Sequence, residues 1–404
     1  MEVSRRRWLQ GLSLLSLAPF ASTGKASALA DEPADPLSKA AFPFKVKTYL
    51  NAASYHPISI STARCLREYA ASRATLQEMA DTPDVRVQFA QLINATPDEI
   101  AIVPNTSTAE NFIVDALEIR PGTDRIITDG FHFMGSLYMY EQRAKMGYDV
   151  QVVRPRGLVI DLADIAARLN KHTKLIAASL VSWATGFKHD LKALCALAHD
   201  HGAMVYADII QAAGSIPIDV RESGVDFAAC SSYKWLMGDA GVGFLYVRED
   251  RLEQLRRPVA GYHQLSFNPR DLPFDPQHAG PWSIRKGASG YFDTGSEADL
   301  IQVGVGNALG HILAAGPAKI AERRKPLTDL LRQTLPQFGF TPMAPVSDAA
   351  LVCFAYPNAA RKLQDTLINA DVGISLYENR IRVSPSVYND LKDIERLCDV
   401  IVRP

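Results

Sequence analysis

The sequence predicts an α/β fold of the doubly covered kind: a large domain with a mostly parallel sheet, helices on both its faces, and a smaller α+β domain at the C-terminus. Three observations predict it. Short apolar runs alternate with segments of helical periodicity over most of the first 250 residues. Those runs are apolar on both faces and end in polar residues, as buried parallel strands do. The 404 residues, 47% of them hydrophobic and 22% charged, suffice for one large and one smaller globular domain.

Residues 1–30 read as an address rather than as part of the fold. Ser4-Arg5-Arg6-Arg7-Trp8-Leu9-Gln10 carries a twin arginine, Gly11 to Ser22 is short and weakly apolar, and Ala28-Leu29-Ala30 offers small residues for cleavage. The apolar part is too short to span a bilayer. The pattern resembles a Tat export signal. That resemblance implies the Tat translocase as a partner, a periplasmic or otherwise exported location, and no membrane span after signal removal. Residues 31–60 form an N-terminal arm, rich in Pro, Ala and Asp, with a strand-like run at Thr48-Tyr49-Leu50-Asn51-Ala52-Ala53.

The large domain spans residues 61–299. Apolar spacing places helices over Ser61–Ala71 and Thr82–Leu92, and a strand over Ile100–Pro104. Further strands fall at Arg125–Thr128, Tyr148–Val153 and Leu175–Val181, with an amphipathic helix between the last two. Helix Leu191–Asp200 leads into the stretch that carries the chemistry. There the runs Ala203–Ala207 and Asp226–Cys230 end in Asp208 and in Ser231-Ser232-Tyr233-Lys234, and a glycine hairpin, Gly241-x-Gly243, follows. The polar segment His263–Gly290 is long enough to be a functional or mobile loop. Helix Leu300–Ala315 opens the small domain, residues 300–404, with strands Ala350–Ala355 and Ile374–Leu376 and a helix from Ala360.

Asp208 and Lys234 thus sit at the carboxyl ends of two strands, where open α/β sheets place their ligands. A lysine among apolar residues, with a buried acid nearby, suits a Schiff base to pyridoxal 5′-phosphate (PLP), the acid facing the pyridine nitrogen. The turn Asn105-Thr106-Ser107-Thr108 joins a strand to a helix, so its hydroxyls and first-turn amides converge on an anion.

Asp208-x-x-Gln211, Ser231-x-Tyr233-Lys234 and Gly241-x-Gly243 together resemble the class V, fold-type I PLP enzymes. That family holds cysteine desulfurases, selenocysteine lyases and isopenicillin N epimerase, and the resemblance runs from about Tyr49 to the C-terminus. It implies that Lys234 binds the cofactor and acts as base and acid, and that Asp208 keeps the pyridine nitrogen protonated. Gln211 would bond the phenolic oxygen, and Thr106, Ser107, Ser231 and Tyr233 the phosphate. His132 would stack on the ring, with Phe131 and Phe133 as alternatives one residue to either side. Trp183 stands where relatives carry an Asn near the phenolic oxygen, and Ser182 is the substitute. Ser296 would reach the phosphate of a neighbouring subunit, which implies a homodimer with shared active sites. Arg382, six residues before Tyr388-Asn389, would take the substrate carboxylate in a two-point fork, with Asn51 at the site mouth. Arg380 reads as a surface strand arginine.

Net charge is −1, which gives no ground for a nucleic-acid partner. The five cysteines stand singly, with no CxxC or Cys/His cluster for a metal or a disulfide framework. No GxGxxG or GxxxxGK[ST] follows a predicted strand, so a nucleotide-binding α/β protein is disfavoured. Desulfurases carry a nucleophilic Cys in the loop before the substrate arginine, and residues 372–379 contain none. The reading is an exported PLP enzyme acting at Cα of a small-molecule amino substrate: an amino acid or an amino-acid-bearing metabolite. The reaction is of aminotransferase type, with an amino-acid epimerase, a C–S lyase or an inactive PLP-binding protein as the alternatives.

Overall fold

Burial on both faces decides how the apolar runs pair. The computed structural model describes residues 33–76, 84–267 and 282–402. After a two-residue strand in the arm, β1 (Thr48–Tyr49), come β2 (Ile100–Val103), β3 (Arg125–Asp129), β4 (Asp149–Val153) and β5 (Thr173–Ser179). β6 (Met204–Asp208), β7 (Phe227–Ser231) and β8 (Gly243–Val247) complete a seven-stranded sheet of order β2-β8-β7-β6-β5-β3-β4. Only β8 runs against the others, because the glycine hairpin returns it directly beside β7.

Alternate strand residues face two cores. Ile102, Ile176, Val205, Ala228 and Phe244 face one, and Val103, Leu175, Tyr206, Ala229 and Leu245 the other. Helices α1 (Ile60–Thr75), α2 (Val85–Ile93), α3 (Thr106–Ala116) and α4 (Met134–Lys145) come first. They are followed by α5 (Leu162–Ala166), α6 (Leu191–Asp200), α7 (Val220–Ser223), α8 (Ser289–Phe292) and α9 (Asp299–Ala315). α2, α6 and α9 contribute to the first core, and α3, α4 and α8 to the second. Helix starts follow the caps: the side chains of Asp84, Asn105 and Asp190 accept first-turn amides of α2, α3 and α6.

The small unit contains α10 (Pro317–Thr334), β11 (Thr341–Pro342), β12 (Val352–Ala355) and α11 (Ala359–Ala370), after a ribbon of β9 (Leu265–Phe267) and β10 (Ser283–Ile284). It ends with β13 (Val372–Gly373), β14 (Ser375–Tyr377), β15 (Arg380–Val383) and α12 (Leu391–Val402). Its antiparallel sheet has the order β11-β12-β15-β14, and its core holds Leu331, Phe354, Leu363, Ile381 and Ile394. The arm straps onto this unit. β1 pairs with β13 in parallel, and Lys39 Nζ lies 2.9 Å from Asp393 Oδ1.

Three expectations change. Helix α9 packs on α1 and α2, and its buried Val305, Ala308, Leu309 and Ile312 belong to the first core of the large sheet. The large-sheet core thus extends past residue 300 through α9 and takes in Ile320 at the start of α10. The helix between β4 and β5 shortens to five residues. The segment after His263 forms the β9–β10 ribbon, with 268–281 outside the described residues. The export-signal residues 1–30 also lie outside them, as does Thr82.

Gly214 has φ +87°, and a Cβ there would overlap the carbonyl of Trp235, the residue after Lys234. Gly214→Ala is expected to destabilise the protein by about 2 kcal/mol or more. A lower midpoint of chemical unfolding would show it, and an unchanged midpoint would mean that the turn relaxes freely.

Candidate active site

The carboxyl edge of the sheet gathers the sequence-predicted residues. β6 ends in Asp208, which is 3% exposed, and its Oδ1 accepts the Ile210 amide at 2.9 Å. β7 ends in Ser231, and a tight turn carries the chain to Lys234. Ser232 N–H donates to the Val242 carbonyl at 3.0 Å, and Met237 N–H to the Lys234 carbonyl at 2.9 Å. Met237 takes the left-handed backbone, φ +58°, to close the turn.

Burial disfavours charge on both partners. It lowers the Lys234 amine to about 8; the Arg382 cation adds to this and Asp208 opposes it. Burial also raises Asp208, against the pull of His132 and Lys234. A cation placed beside Asp208 would return it to the carboxylate.

His132 is fully buried. Its Nε2 lies 2.9 Å from Glu110 Oε1 and its Nδ1 2.9 Å from Ser179 Oγ. Glu110 also accepts from Ser136 Oγ at 2.5 Å and from Tyr140 Oη at 2.8 Å. Burial opposes charge on His132, but Glu110, backed by Asp208 and Asp129, outweighs it and raises its pKa. Burial likewise opposes charge on Glu110, and His132, Ser136 and Tyr140 turn the net direction downward. Of the alternatives, Phe131 packs on Phe187, and Phe133 meets Trp183 edge-on at 6.0 Å.

The anion turn is built from two elements. Ser231 Oγ accepts the Thr106 amide at 3.0 Å, and Asn105 Oδ1 accepts the Thr108 amide at 2.9 Å. A Cβ on Gly243 would lie 3.3 Å from Asn105 Cα, so the glycine lets the α3 terminus close onto β8. Thr106 is half-buried and Ser107 exposed. Lys234 Nζ lies 5.6 Å from the Tyr233 ring centroid.

The other predicted residues make contacts of their own. Gln211 Oε1 accepts from Trp235 Nε1 at 2.9 Å and its Nε2 donates to the Ala53 carbonyl at 3.1 Å, so only one N–H of its carboxamide is left for the phenolic oxygen. Ser182 Oγ accepts the Ala184 amide at 3.3 Å and shapes the turn that carries Trp183. Asn51 is buried, its oxygen accepting from Ser375 Oγ at 2.6 Å, and Ser375 Oγ in turn accepts from Arg382. Ser296 is exposed between α8 and α9 and, among the described residues, makes no hydrogen bond to the Lys234 cluster.

Arg382 is 3% exposed and joins the two units. Nη1 donates to the Trp183 carbonyl at 3.1 Å; Nη2 donates to Ser54 Oγ at 2.5 Å and Ser375 Oγ at 2.8 Å. Its buried Nε has no partner among the described residues. Sequence reasoning missed Glu110, Ser179, Ser54 and Ser375. Glu110 alone left a signal: an acid on the apolar face of α3, between Ala109 and Ile113.

Residues 67–397 match the family model "Aminotransferase class-V". The chain belongs to that family. It is 33% identical over 224 residues to a probable cysteine desulfurase of Methanothermobacter thermautotrophicus, covering 53% of this chain and 56% of the relative. It is 25% identical over 332 residues to isopenicillin N epimerase of Streptomyces clavuligerus, covering 78% and 82%. The fold matches the cysteine desulfurase CsdA of Escherichia coli with a TM-score of 0.78 at 19% identity, over 90% of this chain and 96% of that one. The chain spans about half the length of the first curated relatives it matches. The fold is therefore that of the fold-type I enzymes, and the cofactor is pyridoxal phosphate. The residues fit that group: an amine near neutrality, a buried acid, a helix terminus with hydroxyls and an arginine with an orphaned buried N–H meet at one edge.

Glu110→Gln removes the charge that keeps the His132 pKa high. Burial then dominates, and the imidazole is expected to titrate below 6.5 by NMR. Glu110, lowered on folding, stabilises above its ordinary 4.5, and that contribution is lost as pH falls through its folded pKa. His132, raised on folding, stabilises below 6.5 and loses that contribution as pH rises through its folded pKa. The variant's loss of stability, about 3 kcal/mol, should therefore peak between these limits in chemical unfolding. An unmoved His132 titration would sever the pair.

Proposed function

We propose that this class V enzyme acts at the Cα of an amino acid, or of a metabolite with an amino-acid end, in a reaction of aminotransferase type. One observation carries the reading: the Lys234 amine, brought to about 8 by burial, shares an edge with Asp208 and lies within the field of Arg382. When bound, PLP supplies an electron sink for charge developing at Cα. Lys234 is then a base that takes the Cα proton at neutral pH and returns it. Asp208 would favour a proton on the pyridine nitrogen by its charge, and His132 would lie against the ring. The α3 terminus, with Thr106, Ser107 and Ser231, holds the phosphate, supported by Tyr233. Arg382 receives the substrate carboxylate, its fork oriented by Trp183, Ser54 and Ser375.

A desulfurase needs a reactive thiol near Arg382. The β13–β14 segment has no cysteine, and burial pushes Cys353 up to about 12 and Cys398 up to about 11, away from thiolate. A second reading, an epimerase, is favoured by the Streptomyces relative, which aligns over 78% of this chain. The same proposal has residues 1–30 deliver the enzyme through the Tat translocase. It also has two copies pair so that Ser296 of each reaches the other's phosphate site.

The decisive experiment incubates the holoenzyme with L- and D-amino acids in deuterated water. Keto acid release with conversion of the cofactor band supports the aminotransferase reading. Cα deuterium exchange without keto acid transfers the assignment to the epimerase. Lys234→Ala should lower turnover at least about a thousandfold. Replacing Arg5 and Arg6 by lysine should hold the full chain in the cytoplasm; unchanged export would remove the Tat assignment.

A further inference from the structure

Arg380 lies two residues before Arg382 on β15, so both side chains leave the same face of the strand. Ile381 and Val383 are buried in the small-unit core, which turns both arginines the other way, onto the large unit. They grip successive residues of one turn there: Arg382 Nη1 donates to the Trp183 carbonyl and Arg380 Nη1 to the Ala184 carbonyl. The Arg380 guanidinium also lies against two rings, with Cζ 3.9 Å from the Tyr377 centroid and 5.1 Å from that of Trp183. Trp183 in turn meets Phe133, the neighbour of His132. Arg380 therefore stands on an aromatic wall that continues to the ring-covering histidine.

Among the described residues, neither arginine has a carboxylate partner. A surface strand arginine would be solvated or paired with an acid. Arg380 is half-buried and stacked, and its hydrogen bonding among the described residues uses one N–H of its five. Stacking fixes its plane and strips water from its faces, so that an anion meeting its edge is bound in a fixed geometry. The two Cα atoms are one strand repeat apart, about 7 Å. Two cations at that spacing, with no acid between them, suit a ligand with two anionic ends. The surroundings differ in kind: hydroxyls of Ser54 and Ser375 beside Arg382, rings beside Arg380. The first suits a polar amino-acid end, the second a methylene chain.

We propose that Arg380, on the Trp183–Tyr377 wall, is a second anion subsite, and that the substrate carries a side-chain carboxylate about two or three methylene groups from Cα. The assignment rests on Arg382 as the α-carboxylate residue in the reading above.

The test uses ligands that undergo no chemistry at Cα. Calorimetric titration of the holoenzyme with glutarate and with pentanoate compares two anionic ends with one. Glutarate is expected to bind about ten- to hundredfold tighter, as a charge-assisted pair implies. Arg380→Gln should bring the two affinities together, and Arg380→Lys should restore part of the gap. The visible cofactor band confirms that each variant is folded and loaded, and Arg380→Lys carries the test if the glutamine variant lacks it. Equal affinities in the unaltered enzyme, or a gap that survives in Arg380→Gln, would overturn the subsite. If the gap behaves as expected while no amino acid is turned over or exchanged, the subsite stands and the Cα reading falls. If amino acids react with no preference for glutamate over norvaline, the Cα reading stands and the subsite falls.

Discussion

Two opposite charges are taken out of water at one edge of the sheet, and the rest of the structure answers to that cost. Asp208 ends β6, and Lys234 follows the turn after β7, two strands buried almost throughout on both faces. Desolvation pushes each toward its neutral form, the amine down to about 8 and the acid upward. That shift makes the amine usable at neutral pH, as a surface lysine near 10.5 would not be. It also leaves Asp208 ready to take up its charge beside a cation.

The same constraint explains the second layer. His132 faces Asp208 from the β3 side, and an uncharged ring there would lose much of its electrostatic hold on that acid. Glu110 restores charge to it from α3, and is itself held by Ser136 and Tyr140. One helix thus contributes twice, its N-terminus to the anion turn and its fifth residue to the histidine. The two uses lie one turn apart on the same face.

The small unit closes the site with arginines rather than with a lid. β15 alternates between its own core and the large unit, so Ile381 anchors the strand while Arg380 and Arg382 reach across. Their bonds to the Trp183 and Ala184 carbonyls tie the two units at the site itself. The relative placement of the units therefore depends on the same side chains that the proposed substrate recognition uses.

Much of this was legible in the sequence. The fork at Arg382 came from the family resemblance, whereas the strand ending in Asp208, the strand leading to Lys234 and the hydroxyl turn at Thr106 follow from runs of apolar residues and the polar residues that end them. Such patterns are local, and local periodicity survives in a sequence. Glu110 was not legible as a partner of His132, because twenty-two residues separate them and only the packing of α3 against α4 brings them together. Gln211 and Asn51 could be placed near the site but not oriented, since Trp235 and Ser375 come from distant segments to claim their amides. Arg380 read as a surface residue for the same reason: β15 alone gives its face, and only the docked turn at Trp183 shows what that face meets. The sequence by itself determined the sheet, the strand ends and so the identity of the cofactor pair. The tertiary structure decided which buried groups are charged and which arginines face the cleft, because desolvation and long-range hydrogen bonds exist only once distant segments are packed together.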